Sequence, residues 1–267
     1  MSVGRAFRAM PTMLRVGVAE TVAYRAEFLV WILTTTIPLV MLGLWNAVAA
    51  QGTFKGYSQA DFTAYFLATL IVRNVAGSWV GWQVGEEIRM GTMSMRLLRP
   101  VHPFVALAAS HVASIPFRCV VALPVAFILL LSSGGSSLAT EPLQLAMLVP
   151  ALLMAWLITF AIMFAIGALA FFLTRAMGLF SLYFLLFMLL SGYIMPIAIL
   201  PGPIRAIAEW TPFRYMVSFP VELLTRSMST TEVLEQLAMQ VGWTVASIAI
   251  AMFVWTRGVR RFESVGG

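Results

Sequence analysis

The chain has 267 residues, 61% of them hydrophobic and only 10% charged, with a formal net charge of +6. Soluble domains carry about 45–50% apolar and about 25% charged residues, so this composition cannot face water without large apolar patches and calls for a bilayer as its solvent. Lys55 is the one lysine among 17 basic residues; the arginines are scattered singly between apolar segments, which excludes a nucleic-acid-binding stripe and fits anionic lipid and membrane orientation.

In chain order, residues 3–22 read as an amphipathic helix. Val3, Phe7, Met10, Leu14 and Val18 share one face, Arg5, Arg8 and Arg15 the other, and Pro11 kinks it. Such a helix lies flat in the cytoplasmic leaflet; the alternative is a plain cytosolic tail. No compact apolar core with a cleavage site follows, so no removable leader is expected. A span needs about 20 apolar residues, and six stretches qualify: Phe28–Ala50, Phe62–Val84, Ala109–Leu131, Leu143–Phe172, Met177–Leu200 and Leu237–Trp255. The last is weakest where Gln240 interrupts it. Trp31, Trp45, Trp79, Trp82, Trp243 and Trp255 fall near the proposed ends, as expected of interfacial rings.

The connections carry their own signals. Residues 51–61 form a short outer loop, with Ser58 and Asp61 placed as a capping box. Ser132–Ser137 is a Ser/Gly turn. Residues 201–236 mix Pro201, Pro203, Pro212 and Pro220 with Trp210, Phe213, Tyr215 and Phe219. They read as short helices dipping into the outer leaflet, their irregular backbone covered by protein. Gly167, Gly178 and Gly192 either permit close helix approach or serve ordinary packing. With both termini inside, Arg5, Arg8, Arg15, Arg25, Arg89, Arg96, Arg99, Arg175, Arg257, Arg260 and Arg261 are cytoplasmic, against Lys55, Arg205, Arg214 and Arg226 outside, an imbalance that sets this orientation. The whole of 1–267 is thus one all-α membrane domain: residues 1–25 interfacial, 28–200 carrying five spans, 201–236 re-entrant, 237–255 the sixth span and 256–267 a cytoplasmic tail.

Enzyme signatures are missing. There is no G-x-x-x-x-G-K-[ST] phosphate loop, no zinc-binding histidine set around His102 or His111 and no G-x-S-x-G. Adjacent Glu86 and Glu87 point about 100° apart on a helix, poor geometry for a dyad. The lone Cys119 can form no intrachain disulfide, and His102, between Pro100 and Pro103, reads as a solvated loop residue. Two arginines fall inside proposed spans, Arg73 beside Asn74, and Arg118. Each costs about 2.5–3.5 kcal/mol at a helix centre. Either they line a pathway and meet an anionic or zwitterionic headgroup, or they pair with carbonyls or an acid at a subunit seam.

The richest stretch runs from Gly85 to Pro103. It mixes Glu86, Glu87, Arg89, Arg96 and Arg99 with Ile88, Met90, Met93, Met95, Leu97 and Leu98, and it is bounded by Gly91 or Pro100. A short amphipathic helix across the cytoplasmic face follows. Methionines make adaptable contact surfaces and arginines seek acidic partners; the competing reading is a loop that anchors to lipid headgroups. The pattern of Glu87-Ile88-Arg89, Gly91, Ser94, Leu97-Leu98-Arg99-Pro100 and Pro103 resembles the ABC-2 type permeases, and more narrowly their branch of daunorubicin- and viologen-type exporters. Tyr24-Arg25 before the first span, Gly56-Tyr57 through Tyr65-Phe66-Leu67, and Met195-Pro196 through Trp210-Thr211-Pro212 to Pro220 agree with it.

That resemblance implies six helices behind an interfacial one, outer re-entrant helices, and a coupling helix docked on a separate cytoplasmic ABC ATPase dimer. By position, Glu86, Glu87, Arg89, Gly91, Arg96, Leu97, Leu98, Arg99 and Pro100 form the coupling region. The chain itself holds no cofactor; ATP and Mg bind the partner ATPase. A second permease subunit, the same or related, completes the pathway in a bacterial inner membrane. The function implied is ATP-driven export of an amphiphilic, drug-like or lipid-like compound, as in multidrug resistance. A membrane scaffold is the alternative, and a secondary transporter is disfavoured because no intramembrane carboxylate is evident in the main spans.

Overall fold

The computed structural model of the chain describes residues 11–12, 14–18, 36–131, 137–139, 141–173 and 177–262. Among these it is helical, with no extended pairing beyond one antiparallel bridge, Phe54 with Tyr57. Most of the expected amphipathic segment 3–22, residues 28–35 of the first expected span, most of the Ser/Gly turn, Arg175 and the last five residues lie outside the described set. Residues 14–18 are helical, and buried Gly17 lies against Ser110 and Ala113.

Helix α1 (Ile37–Val48) opens on Pro38, whose missing N–H is harmless in a first turn, and closes in a 3-10 turn, Ala49–Gln51. Helix α2 (Gln59–Ala76) begins at the expected capping box. The Ser58 hydroxyl accepts from the Asp61 N–H at 3.2 Å, and the Asp61 carboxylate accepts from the Ser58 N–H at 2.9 Å. The second span was expected as one helix, Phe62–Val84. It is instead broken at Gly77–Trp79, where Gly77 is extended (ψ 141°), and resumes as α3 (Val80–Arg89). Gly91, at φ 75°, turns the chain into α4 (Met93–Leu97).

Two long helices follow: α5 (Pro103–Leu129), with Pro116 and Pro124 inside it, and α6 (Pro142–Ala168), with Pro150 inside. Helix α7 (Met177–Leu190) is shorter than the expected Met177–Leu200, because the chain leaves the helix at Ser191 and Gly192 adopts φ 84°. A Cβ at Gly192 would also meet the Tyr65 hydroxyl at 2.5 Å, so both conformation and space require glycine. The proline-rich segment then forms α8 (Gly202–Glu209), α9 (Pro212–Met216) and α10 (Ser218–Thr225), and α11 (Thr230–Val259) closes the bundle.

Helix α6 is the hub and packs on α11, α3, α10, α2 and α9. Trp156, Phe160 and Phe164 stack in succession along it. Among the described residues three helices are long and apolar enough to cross a membrane: α5 through Pro103–Val120, α6 continued to Phe171, and α11; α1 and α7 are apolar but shorter. Val120, Phe127 and Ile128 on α5, and Val245, Ile250 and Phe253 on α11, stay exposed. Apolar faces of that extent need hydrocarbon around them.

Where backbone leaves helical geometry, long side chains from neighbouring helices and from the turn at Lys55 collect its carbonyls. Trp45 Nε1 donates to Ile194 O at 2.9 Å, Lys55 Nζ to Ile199 O at 2.8 Å and Tyr65 Oη to Gly192 O at 2.7 Å. Gln144 Nε2 donates to Arg226 O at 2.8 Å. Gln240, which seemed to weaken the last span, is fully buried and donates to Ala151 O (2.9 Å) and Tyr215 O (3.0 Å). Helix α11 therefore runs through it. Arg214 and Glu222 form a largely buried ion pair at 2.8 Å, and the Ser218 hydroxyl donates to the same carboxylate. Trp255, expected at an interface, is instead core, tilted against Phe164 and edge-on to Phe171.

Helices α3 and α6 touch through backbone. A Cβ on Gly167 would run into the Gly81 carbonyl, and one on Gly81 into the Met163 carbonyl, whereas Gly178 has open space. Gly167→Ala should cost about 1–3 kcal/mol, because backbone cannot yield as a side chain does. Gly178→Ala should be neutral or slightly stabilising. Thermal unfolding of the detergent-solubilised chain checks the pair, and equal melting temperatures would show that the helices do not need this approach.

Candidate functional site

Two places combine polar groups with unusual surroundings. The first is the corner made by α3 and α4. Glu87 holds Arg96 through two contacts, 2.5 Å to Nε and 2.7 Å to Nη2, while Glu86 pairs with Arg89 one turn on. Thr92 and Ser94 bind backbone carbonyls within the same turn, so the corner is stiffened from inside. Its apolar residues divide. Ile88 and Met93 are buried and fix it to the bundle, whereas Met90, Met95 and Leu98 are 65%, 66% and 82% exposed. Arg99 and Pro100 are exposed beside Leu98, and Leu97 is half-buried. The corner thus presents a compact apolar surface edged by an arginine, and Arg96 is turned inward.

At its far end the corner joins α5 through His102. This residue was expected to be solvated. It is half-buried, packs edge-on against Trp255, and its Nδ1 accepts from the Phe104 N–H at 3.2 Å, capping α5. The proline on either side explains the misreading, since Pro103 sits at the first helical position and draws the preceding residue into the cap.

The second place surrounds the break between α2 and α3. Arg118 of α5 reaches across it: Nη1 donates to Gly77 O at 2.7 Å, and Nη2 to Ser114 Oγ at 2.9 Å and His111 O at 3.1 Å. It thereby caps the carbonyl end of α2, as a basic side chain at a helix C-terminus does. Asn74 turns back on its own helix and donates to Leu70 O at 2.9 Å. Arg73 faces elsewhere. It is 92% buried (8% exposed), with its guanidinium carbon 4.9 Å from the Phe187 ring centroid and 5.8 Å from that of Tyr193. It lines a cavity of about 150 Å³ together with Trp79, Phe184, Phe187, Met188 and Tyr193, and Ile37 closes one side. Arg73, Asn74 and Arg118, grouped by sequence, therefore have three separate surroundings. The aromatic wall was not visible in sequence, because Phe184, Phe187 and Tyr193 looked like ordinary span residues.

A helical bundle with at least three membrane-length helices, broad apolar outer faces and charge buried beside a cavity defines a multi-helix integral membrane protein. Residues 29–266 match the family described as ABC-2 family transporter protein, and the chain belongs to that family. Comparison with curated proteins gives no match. Family membership makes the chain the membrane permease subunit of an ABC transporter.

Burial holds the His102 imidazole below its usual 6.5. Only the neutral ring offers Nδ1 as an acceptor. A histidine whose pKa is lowered by folding adds stability that is complete above the unfolded value and drains away as pH falls towards the folded one. Melting temperature should therefore drop as pH is taken below about 6.5. His102→Asn keeps a capping oxygen and should flatten that dependence; an unchanged slope would show that the ring carries no cap.

Proposed function

We propose that this permease subunit works in ATP-driven export of an amphiphilic compound from the cytoplasm or inner leaflet, with a separate ABC ATPase dimer docking on the Glu86–Pro100 corner. The ATPase binds ATP and Mg and supplies the work; a second permease subunit, the same or related, completes the pathway. Both termini face the cytoplasm of a bacterial inner membrane, which puts the corner on the ATPase side.

The observation that carries this reading is the exposure of Met90, Met95 and Leu98 on a unit braced by Glu87–Arg96 and Glu86–Arg89. Apolar side chains held out from a stiff scaffold suit a partner pocket, with polar and charged groups at the rim. The scaffold continues into α3, which meets α6 backbone to backbone at Gly81 and Gly167. Displacement at the corner therefore passes into the bundle hub with little side-chain slack. Arg99 is the arginine free to meet an acidic group on the ATPase. Arg96 acts one step back, by holding the shape of the corner.

Met95→Asp with Leu98→Asp should abolish co-purification of the ATPase. Both side chains are exposed, so the melting temperature should stay within the shift produced by about 0.5 kcal/mol. Arg99→Glu should weaken co-purification partially. Undiminished recovery of the ATPase with the double variant, together with intact transport, would overturn the docking assignment.

A further inference from the structure

We propose that the Arg73 cavity is an anion seat: it takes the headgroup of a single-chain anionic amphiphile, which is the exported compound, and it rejects cationic amphiphiles. The proposal rests on the export reading for the word "exported"; the binding chemistry stands on the cavity alone.

The cavity combines a buried cation with donors and aromatic faces. Arg73 is more than nine-tenths buried, and among the described residues it forms no ion pair. The guanidinium carbon lies over the Phe187 ring at 4.9 Å and the Tyr193 ring at 5.8 Å from their centroids. A guanidinium presents planar pairs of N–H groups that form a fork suited to a carboxylate or phosphate. A second donor lines the same space: the Trp79 indole N–H is buried and, among the described residues, has no hydrogen-bond partner. The Tyr193 phenol lies within hydrogen-bonding reach of Arg73. Ile37, Phe184 and Met188 supply the rest of the lining and are apolar.

Among the described residues no carboxylate lines the cavity, and the Arg73 charge already over the rings repels a second cation. An acceptor-only anionic group can accept from the unpartnered Trp79 N–H and from the Arg73 guanidinium together, and the aromatic and aliphatic walls take the first carbons behind it. A space of about 150 Å³ admits one headgroup or ring and not a whole drug-sized molecule, so the chain of the amphiphile lies outside it. Arg118 does not share this role, because its guanidinium already serves Gly77, His111 and Ser114.

The test uses the full chain in phosphatidylcholine nanodiscs without ATPase, so a failed coupling experiment and a failed seat stay distinguishable. Quenching of Trp79 is followed with 2-bromododecanoate, 2-bromododecan-1-ol and 2-bromododecyltrimethylammonium, whose bromine lies beside the headgroup, and Trp79→Phe serves as the blank. The expected result is saturable quenching by the carboxylate at a concentration at least about tenfold lower than for the other two, the ratio that about 1.4 kcal/mol produces. Arg73→Gln should erase that preference and Arg73→Lys should restore part of it. Equal quenching by all three probes on the wild-type chain, or a preference for the ammonium, overturns the seat and needs no variant to fold. Loss of the carboxylate signal when phosphatidylglycerol is added to the nanodisc assigns the seat to a bilayer lipid and overturns the cargo assignment. With the ATPase present, stimulation by dodecanoate that vanishes in Arg73→Gln supports cargo; binding without stimulation overturns it.

Discussion

Backbone that leaves a helix inside hydrocarbon must find its hydrogen bonds within the protein, and among the described residues this is seen at Gly77–Trp79, Ser191–Pro201 and Met216–Met228. At each one a side chain from another part of the chain supplies a donor. Arg118 serves the first; Trp45, Tyr65 and Lys55 serve the second; Gln144 serves the third, and Gln240 takes the Tyr215 carbonyl just ahead of it. The Ser218 N–H, donating to Ser191 O at 3.0 Å, ties the last two together. Leaving a buried acceptor unpaired costs about 1–3 kcal/mol, against a total stability of about 5–15 kcal/mol. A few such anchors therefore rival the net stability, and the irregular segments are among the most constrained parts of the fold.

That constraint also links the two candidate sites. Breaking one long helix at Gly77 frees α3 from α2 in direction, while Arg118 ties the end of α2 to α5. Helix α3 is rooted in α6 through glycines, and its own start carries Trp79 and Trp82 onto Phe180 and Phe184 of α7. The corner proposed to meet the ATPase and the wall of the Arg73 cavity are thus opposite ends of one ten-residue helix. A shift of α3 about its glycine contact alters the corner and the cavity together, which is the physical content of coupling on the proposed reading.

Much of this was legible in the sequence, and the boundary follows the range of the interactions. Composition alone called for a hydrocarbon surround. The Ser58–Asp61 cap, closed over three residues, appears as read. Longer-range pairings were hidden: nothing local tells Gln240 that its partners are Ala151 and Tyr215, 89 and 25 residues away, so it looked like a flaw in a span. The break at Gly77 was missed because the flanking residues are apolar on both sides, and hydropathy averages over a three-residue interruption. Glu87 and Arg96 both looked like docking residues. Their mutual pairing depends on the turn at Gly91, whose φ of 75° folds α4 back beside α3. Helix α7 was read too long for the same reason as α2, since Tyr193, Ile194 and Met195 are apolar enough to continue a span that the backbone has already left.

The contrast between Arg73 and Arg118 shows what burial means for each charge. Both are arginines among apolar helices, and sequence offered the same two readings for both. Arg118 spends its donors on the carbonyl left by a broken helix and on His111 O and Ser114 Oγ of its own helix, so its charge is a means of satisfying backbone. Arg73 sits in the last turn of α2, where the helix dipole favours a cation, and lies over rings whose attraction is worth about 0.5–2 kcal/mol. One of those rings, Phe187, belongs to α7, and the other follows the turn at Gly192. Separating α7 from α2 would strip that support and leave the cation poorly compensated, whereas an anion bound to its edge would offset the loss. A ligand of that kind binds the two arrangements unequally, and unequal binding is the condition for it to shift an equilibrium between them.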